Sequence, residues 1–355
     1  MPPSGPLIID LRCLQDRTYA ERGIGNHTRN ILAHVGAPFT GLIDPALPPL
    51  PTEIARQAAR LCHPAALGLL PPDAVFLNPS PMSPNQHFLA PILQTEGLRK
   101  AALIYDFIPF DHRDAYLTHP VARLDYYTAM AWLRRYDRFF AISADSASRL
   151  RALYGERDIR ITGVALPEWM ACAKHRPPRH VLMVGGDDAR KNPEILLRAY
   201  AGSALLRAYD LVIAGHYSAT SIARLRHIAP AEFPGRLPDA ALRALYEAAF
   251  CVIVPSRAEG FSLPVLEASA AGIPVLVSDI PAHRALIPDP DCRFAPDDTA
   301  RLTTMLEALV TVPGRRAEIQ AAQADSWRGF TGQAVASRVW DALLPGGQGA
   351  ALMDA

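Results

Sequence analysis

The chain has 355 residues, of which 50% are hydrophobic and 20% charged, which excludes a mainly disordered protein and supplies more than one core. A formal net charge of +1 and a pI near 7.7 argue against nucleic acid as the main partner, because phosphate binding leaves a basic surplus. The balance holds along the chain: 17 Lys/Arg against 16 Asp/Glu over residues 1–170, and 19 against 19 over 171–355.

The start, MPPSGPLIIDLR, lacks a basic segment followed by a long apolar one, so no signal peptide is expected. Short apolar runs then predict strands at Leu7–Leu11, Ala74–Leu77, Ala102–Tyr105, Arg138–Ile142, His180–Val184, Asp210–Ala214, Phe250–Val254 and Pro274–Val277. Amphipathic stretches such as Asp239–Ala249 and Leu263–Ala271 predict helices between them. This alternation implies parallel sheets with helices on both faces. There are too many such units for one compact sheet. The proline-bearing segment Ala165–Pro178 reads as a linker between two similar α/β halves. Pro-rich Asp44–Pro51 and Pro79–Pro84 read as surface loops, because proline removes a donor and restricts its predecessor. The five cysteines, Cys13, Cys62, Cys172, Cys251 and Cys292, form no C-x-x-C pair, so reduced, buried thiols are expected. No apolar run reaches membrane-spanning length. A cytoplasmic protein is expected, and peripheral membrane contact is compatible with that.

Chemistry concentrates in three places. Pro255–Asp279, PSRAEGFSLPVLEASAAGIPVLVSD, follows the strand Phe250–Val254. Gly260 permits a turn, and Pro264 suits the first turn of a helix. The backbone amides of Phe261, Ser262 and Leu263 should then point out of a helix N-terminus, a ready site for phosphate. Glu259 and Glu267 bracket that terminus and can accept hydrogen bonds from paired sugar hydroxyls. The second place is VGGDDARKNPEILLRAY, Val184–Tyr200. Gly185 and Gly186 allow close backbone approach, and Arg190 and Lys191 precede a helix beginning near Pro193. Cations at a helix N-terminus oppose its dipole, which points to an anion between them, and the pair suits a pyrophosphate. A solvated basic pair is the plain alternative. Yet the chain has 33 Arg and only three Lys, so Lys191 stands out. The third place is Gly23-Ile24-Gly25, read as a loop after the first strand. Alone it is an ordinary turn with Asn26 or Thr28 capping the next helix. Asp187–Asp188 is adjacent acids, not the D-x-D spacing of metal-dependent transferases, so no metal site is expected.

The E-x7-E segment resembles the signature of retaining glycosyltransferases of the GT-B fold and looks like glycosyltransferase family 4. RGIGNHTRNIL (Arg22–Leu32), YDFIPF (Tyr105–Phe110), FFAISADSASRL (Phe139–Leu150), the RKN stretch and GRLPDAALRALYEAA (Gly235–Ala249) are similar to further family motifs in the same order. The resemblance implies an α/β protein with two Rossmann-like domains facing an interdomain cleft. The expected spans are 1–168 for acceptor binding, 169–335 for the nucleotide sugar, and 336–355 for a last helix crossing back and a tail. It implies that Arg190, Lys191, Gly185, Gly186 and the residues Gly260, Phe261, Ser262 and Leu263 hold the donor diphosphate. Glu267 would bind the ribose and Glu259 the sugar, with Glu259 and Asp106 as catalytic candidates. The glycine loop Gly23, Ile24, Gly25 and Tyr105 would lie near acceptor and sugar. Tyr105 departs from the family, which often has His there, and Ser262 stands where many members have Gly. The resemblance favours GDP-mannose over a UDP-sugar as donor, a glycan or lipid-linked oligosaccharide as acceptor, and bacterial polysaccharide or lipopolysaccharide assembly at the inner face of the plasma membrane as setting. It implies no cofactor and no required metal. A non-catalytic nucleotide-sugar-binding subunit and a GT-B epimerase are the rival readings.

Overall fold

The computed structural model describes residues 6–344 apart from Arg22, Pro72, Ala171, Cys172 and His175. Arg22 at the head of the expected glycine loop, the thiol of Cys172 and the tail after residue 344 therefore lie outside the described residues. The chain folds as two compact units. One runs to Ala165 and resumes at Gly332; the other is Leu166–Thr331. The crossings thus fall at 165/166 and 331/332, against the expected 168/169 and 335/336.

The first unit holds a seven-stranded sheet of β1 (Leu7–Asp10), β2 (Phe39–Leu42), β3 (Arg60–Cys62), β4 (Val75–Asn78), β5 (Arg99–Ile104), β6 (Arg138–Ala141) and β7 (Asp158–Ile161), in the order β3-β2-β1-β4-β5-β6-β7. Each adjacent pair runs parallel, with registers such as Leu7↔Phe39 and Leu7↔Val75. Parallel pairing requires crossovers, and these cover both faces of the sheet. Accordingly Leu7 and Ile9 point into one core while Ile8 points into the other. That alternation explains the continuous apolar run that marked β1 in the sequence.

The second unit holds β8 (His180–Val184), β9 (Asp210–Ala214), β10 (Ala249–Val254), β11 (Val275–Ser278) and β12 (Arg293–Phe294), in the order β12-β11-β10-β8-β9. All are parallel, with Leu182↔Val252 and Val252↔Val275 in register. Its core is one cluster running from Leu166 to Ile319. The entering and leaving segments of this unit meet, the Leu166 N–H donating to the Phe330 carbonyl at 2.7 Å.

Four strands escaped the sequence reading. β3 has three residues and β12 two, too short for any periodicity. β7 reads DIRI and lies at a sheet edge, so its charged residues need no burial. β2 reads FTGL, and a Cβ at Gly41 would lie 2.5 Å from Leu11 Cδ1, so the leucine side chains there would have to shift for a larger residue. The two Pro-rich stretches carry no helix or strand. Among the described residues, Cys13, Cys62, Cys251 and Cys292 are free and buried.

The last helix, Gly332–Leu343, belongs to the first unit and packs on helix Gly23–Ala33. Val335, Ala336, Val339, Trp340 and Leu343 form its buried stripe. The Trp340 indole N–H donates to the Ile31 carbonyl at 2.9 Å, and Asn30 Nδ2 to the Gly332 carbonyl at 3.2 Å. Trp340→Ala should therefore cost the first unit about 3–5 kcal/mol. Urea unfolding measures it, and a loss below about 1 kcal/mol would show that the helix is not part of that core.

Candidate functional site

In the second unit β8 has β9 on one side and β10 on the other, so the strand order reverses beside β8. Ligands of open parallel sheets bind outside the carboxyl ends of the strands at such a reversal. Two loops leave those ends here, Gly185–Asn192 after β8 and Pro255–Ser262 after β10. They are tied together. The Arg257 N–H donates to the Arg190 carbonyl at 2.7 Å, and Asn192 Nδ2 donates to the carbonyls of Pro255 (3.1 Å) and Pro296 (2.8 Å). Asn192 is buried and takes φ 55°, a left-handed conformation that asparagine tolerates, just before helix Pro193–Ala201. Its role as the pin between the loops was not evident in the sequence.

Glu259 lies at the centre, 7% exposed. Lys191 Nζ donates to its Oε1 at 2.5 Å, Arg190 Nη1 to its Oε2 at 2.8 Å, and Ser256 Oγ to Oε1 at 2.7 Å. Burial pushes this carboxyl up, but Lys191 and Arg190 together with the hydrogen bonds hold it below the usual value. Arg190 is fixed further by Asp188, at 2.8 Å through Nε, and by the Ala258 carbonyl at 3.1 Å. The sequence reading gave the two cations to a diphosphate and Glu259 to a sugar. The structure joins all three in one ion cluster.

Glu267 sits in the opposite environment. It is buried in helix Leu263–Ala270, and the Tyr246 hydroxyl donates to its Oε2 at 2.6 Å. Burial raises its pKa to about 7, against the lowering effect of the Tyr246 bond and with a small push from Asp239. Tyr246 lies in the segment Gly235–Ala249, and nothing in the sequence marked it as the partner of Glu267.

Helix Leu263–Ala270 opens with Ser262 as cap residue and proline in its first turn, as the sequence suggests. The Ser262 hydroxyl makes no cap bond and is buried without a partner among the described residues. Phe261 packs edge-to-face on Phe330, ring centroids 5.4 Å apart. Within the protein itself, packing does not require glycine at Gly185 or Gly186. A Cβ on either would meet only ordinary contacts, 3.5 Å to Lys191 and 3.7 Å to the His216 carbonyl. The residue that must be glycine is Gly215, at φ 141°, where a Cβ would lie 1.8 Å from the Gly185 carbonyl oxygen.

The first unit gathers a second group of sequence candidates. Gly23, Ile24 and Gly25 are not a loop; they form the first turn of helix Gly23–Ala33. Gly25 is required by packing, since a Cβ would lie 2.2 Å from the Ala20 carbonyl oxygen. Thr28 does not cap this helix but donates back to the Ile24 carbonyl at 2.9 Å. The half-buried Tyr105 brings its hydroxyl 3.5 Å from that same carbonyl, and its ring meets buried His27 edge-on at 5.8 Å. Asp106 accepts from the Ile108 N–H at 3.0 Å. Asp188 caps the turn Ala189–Lys191 and Asp187 accepts from the Ser218 N–H, so both acids have structural roles. Among the described residues no group of three His, Cys, Asp or Glu could hold a metal ion, and no helix is long and apolar enough to cross a membrane.

The state of Glu267 has a measurable consequence. Its folded pKa of about 7 exceeds the ordinary 4.5, so the folded form holds a proton that the unfolded chain loses. Its contribution to stability is fully present below about pH 4.5 and is lost as pH rises to about 7. Glu267→Gln removes that slope. At pH 8 the variant should be about 2–3 kcal/mol more stable relative to wild type than at pH 4.5. Urea unfolding across this range decides it, and parallel pH profiles would refute the assignment.

Comparison with known proteins supplies the relationship. Residues 171–322 match the family model described as Glycosyl transferases group 1. The chain is 27% identical over 248 residues to the serotype-specific mannosyltransferase WbdA of Escherichia coli, covering 63% of this chain and 30% of that protein. It is 30% identical over 221 residues to D-inositol 3-phosphate glycosyltransferase of Rhodococcus erythropolis, covering 52% and 48%. The chain thus spans less than half the length of these relatives. Among solved structures it is similar to sucrose-phosphate synthase from Thermosynechococcus elongatus, with a TM-score of 0.68, 15% identity, and 95% and 97% of the two chains covered. It is also similar to HepE of Anabaena, solved in complex with UDP and glucose, with a TM-score of 0.70, 14% identity, and 96% and 99% covered. The fold is that of GT-B glycosyltransferases: two α/β units, each built on a parallel sheet.

Proposed function

We propose that this protein is a retaining glycosyltransferase of family 4 that moves a sugar from a nucleotide diphosphate sugar to a glycan or lipid-linked acceptor in polysaccharide assembly. The observation that carries the reading is the cluster of buried Glu259 with half-buried Arg190 and Lys191 at the strand-order reversal beside the helix N-terminus. Arg190, Lys191 and the amides following Gly260 face the diphosphate and stabilise the charge it gains on leaving. Preorganised donors of this kind are the usual largest contribution to such catalysis. Glu259 holds the sugar hydroxyls and Glu267 the ribose. The leaving diphosphate assists deprotonation of the acceptor on the same face, which retains the anomeric configuration. Tyr105, Asp106 and the turn Gly23–Gly25 serve the acceptor half. The donor is GDP-mannose, a choice supported by the mannosyltransferases among the relatives. A UDP-sugar donor is the second reading, favoured by the UDP in the HepE complex. The reaction takes place at the cytoplasmic face of a membrane, where lipid-linked acceptors are presented.

Incubation with a panel of GDP- and UDP-sugars, following free nucleoside diphosphate and sugar identity, tests the reading. Release of diphosphate with GDP-mannose is expected. Binding without release would instead support a non-catalytic subunit, and conversion of the sugar an epimerase. Arg190→Ala and Lys191→Ala should each weaken donor binding by about 1.5–3 kcal/mol, and unchanged affinity in calorimetry would remove them from the diphosphate site. Two cations and helix-terminal amides supply the positive charge that a divalent ion supplies elsewhere, so turnover should survive excess EDTA. Loss of activity restored by Mg²⁺ or Mn²⁺ would contradict this.

A further inference from the structure

We propose that Glu259 is an internal anion occupying the Arg190–Lys191 site, and that the sugar diphosphate must displace it, so that the site discriminates intact donor from spent nucleotide. The inference rests on the donor-site reading above. Arg190 and Lys191 carry two positive charges, and Asp188 and Glu259 carry two negative charges against them at 2.5–2.8 Å. A diphosphate arriving here meets a cluster that is already neutral. Its attraction becomes effective only when a cation is released from its carboxylate. Glu259 is the partner that can yield. Asp188 is engaged twice by Arg190, through the backbone N–H at 3.0 Å and through Nε at 2.8 Å, and it caps the turn. Lys191 Nζ is held by Glu259 alone among the described residues, and an ammonium has two further protons to offer.

Ser256 makes the exchange feasible. Its hydroxyl donates to Glu259 Oε1 at 2.7 Å, and its carbonyl accepts from the buried Ser278 hydroxyl. The carboxylate therefore keeps the anchored Ser256 hydroxyl beside Arg190 when Lys191 turns to phosphate. Sugar hydroxyls of the donor then take the place of the ammonium on Glu259. A nucleoside diphosphate offers no such hydroxyls. It would leave a carboxylate that is only 7% exposed short of a partner, which is costly. After transfer Glu259 recaptures Lys191 and the spent nucleotide is weakened. One carboxylate thereby couples sugar recognition to diphosphate affinity.

Calorimetry of the full chain with pyrophosphate, UDP and GDP, on wild type and Glu259→Gln, tests this. Glutamine keeps a hydrogen-bonding group but not the charge. The variant should bind pyrophosphate and the preferred nucleoside diphosphate about tenfold more tightly, about 1.4 kcal/mol, while losing the preference for intact donor over nucleotide. A folded variant with wild-type or weaker diphosphate affinity overturns the proposal and leaves the donor site standing. Wild type that binds none of the three anions overturns both. If the variant fails to fold, a structure of wild type with intact GDP-mannose decides. The Lys191–Glu259 pair should be open beyond about 4 Å there, and an intact pair overturns the exchange.

Discussion

A carboxylate as buried as Glu259 stays charged only while cations remain within hydrogen-bond reach. Both of its cations come from the loop after β8, whereas Glu259 itself follows β10. The ion cluster therefore fixes the separation of two loops that the sheet alone leaves free. Asn192 then fastens the same loops at the backbone, with its amide on Pro255 and Pro296. The helix opening at Leu263 starts four residues after Glu259, so its amides inherit their position from the cluster. Gly215 completes the arrangement by letting a third loop lie against Gly185.

The two glutamates of one motif thus work in contrasting surroundings. Glu259 faces two cations and is held as an anion. Glu267 faces a tyrosine hydroxyl and burial, and titrates near neutrality. Environments that drive like groups apart in this way are how a site gives one residue type two functions. Eight residues of spacing place both on one loop-and-helix unit, but their contrasting charge states come from what other elements bring: Arg190 and Lys191 to one, burial beside Tyr246 to the other.

Much of this was legible in the sequence, for identifiable reasons. The central strands are buried on both faces and read as apolar runs, and the residues 255–279 carry turn, proline and carboxylates in fixed order. The edge strands β7 and β12 were illegible because β7 carries charged residues on a half-exposed strand and β12 is only two residues long. Gly25 misled for a related reason. Glycine disfavours a helix interior, so G-x-G suggested a loop, but here close packing on Ala20 outweighs propensity. Gly215 carried no motif at all, and its constraint arises only when β8 and β9 lie side by side. The Tyr246–Glu267 and Asn192–Pro296 bonds span 21 and 104 residues, and no local pattern encodes a partner at such distance.

The meeting of Leu166 and Phe330 gives the second unit a property of a different order. The hydrogen bond from Leu166 to Phe330 joins its first and last segments, so the whole of Leu166–Thr331 is an insertion with adjacent ends. A segment of that kind can be excised from one gene and grafted into another with little cost in loop closure. The stretch that matches the family model, residues 171–322, lies wholly inside it. Recombination at these two crossings would exchange the unit that carries the Glu259–Arg190–Lys191 cluster as a cassette, leaving the first sheet and its Trp340 tether untouched. New combinations of the two units could then arise by shuffling.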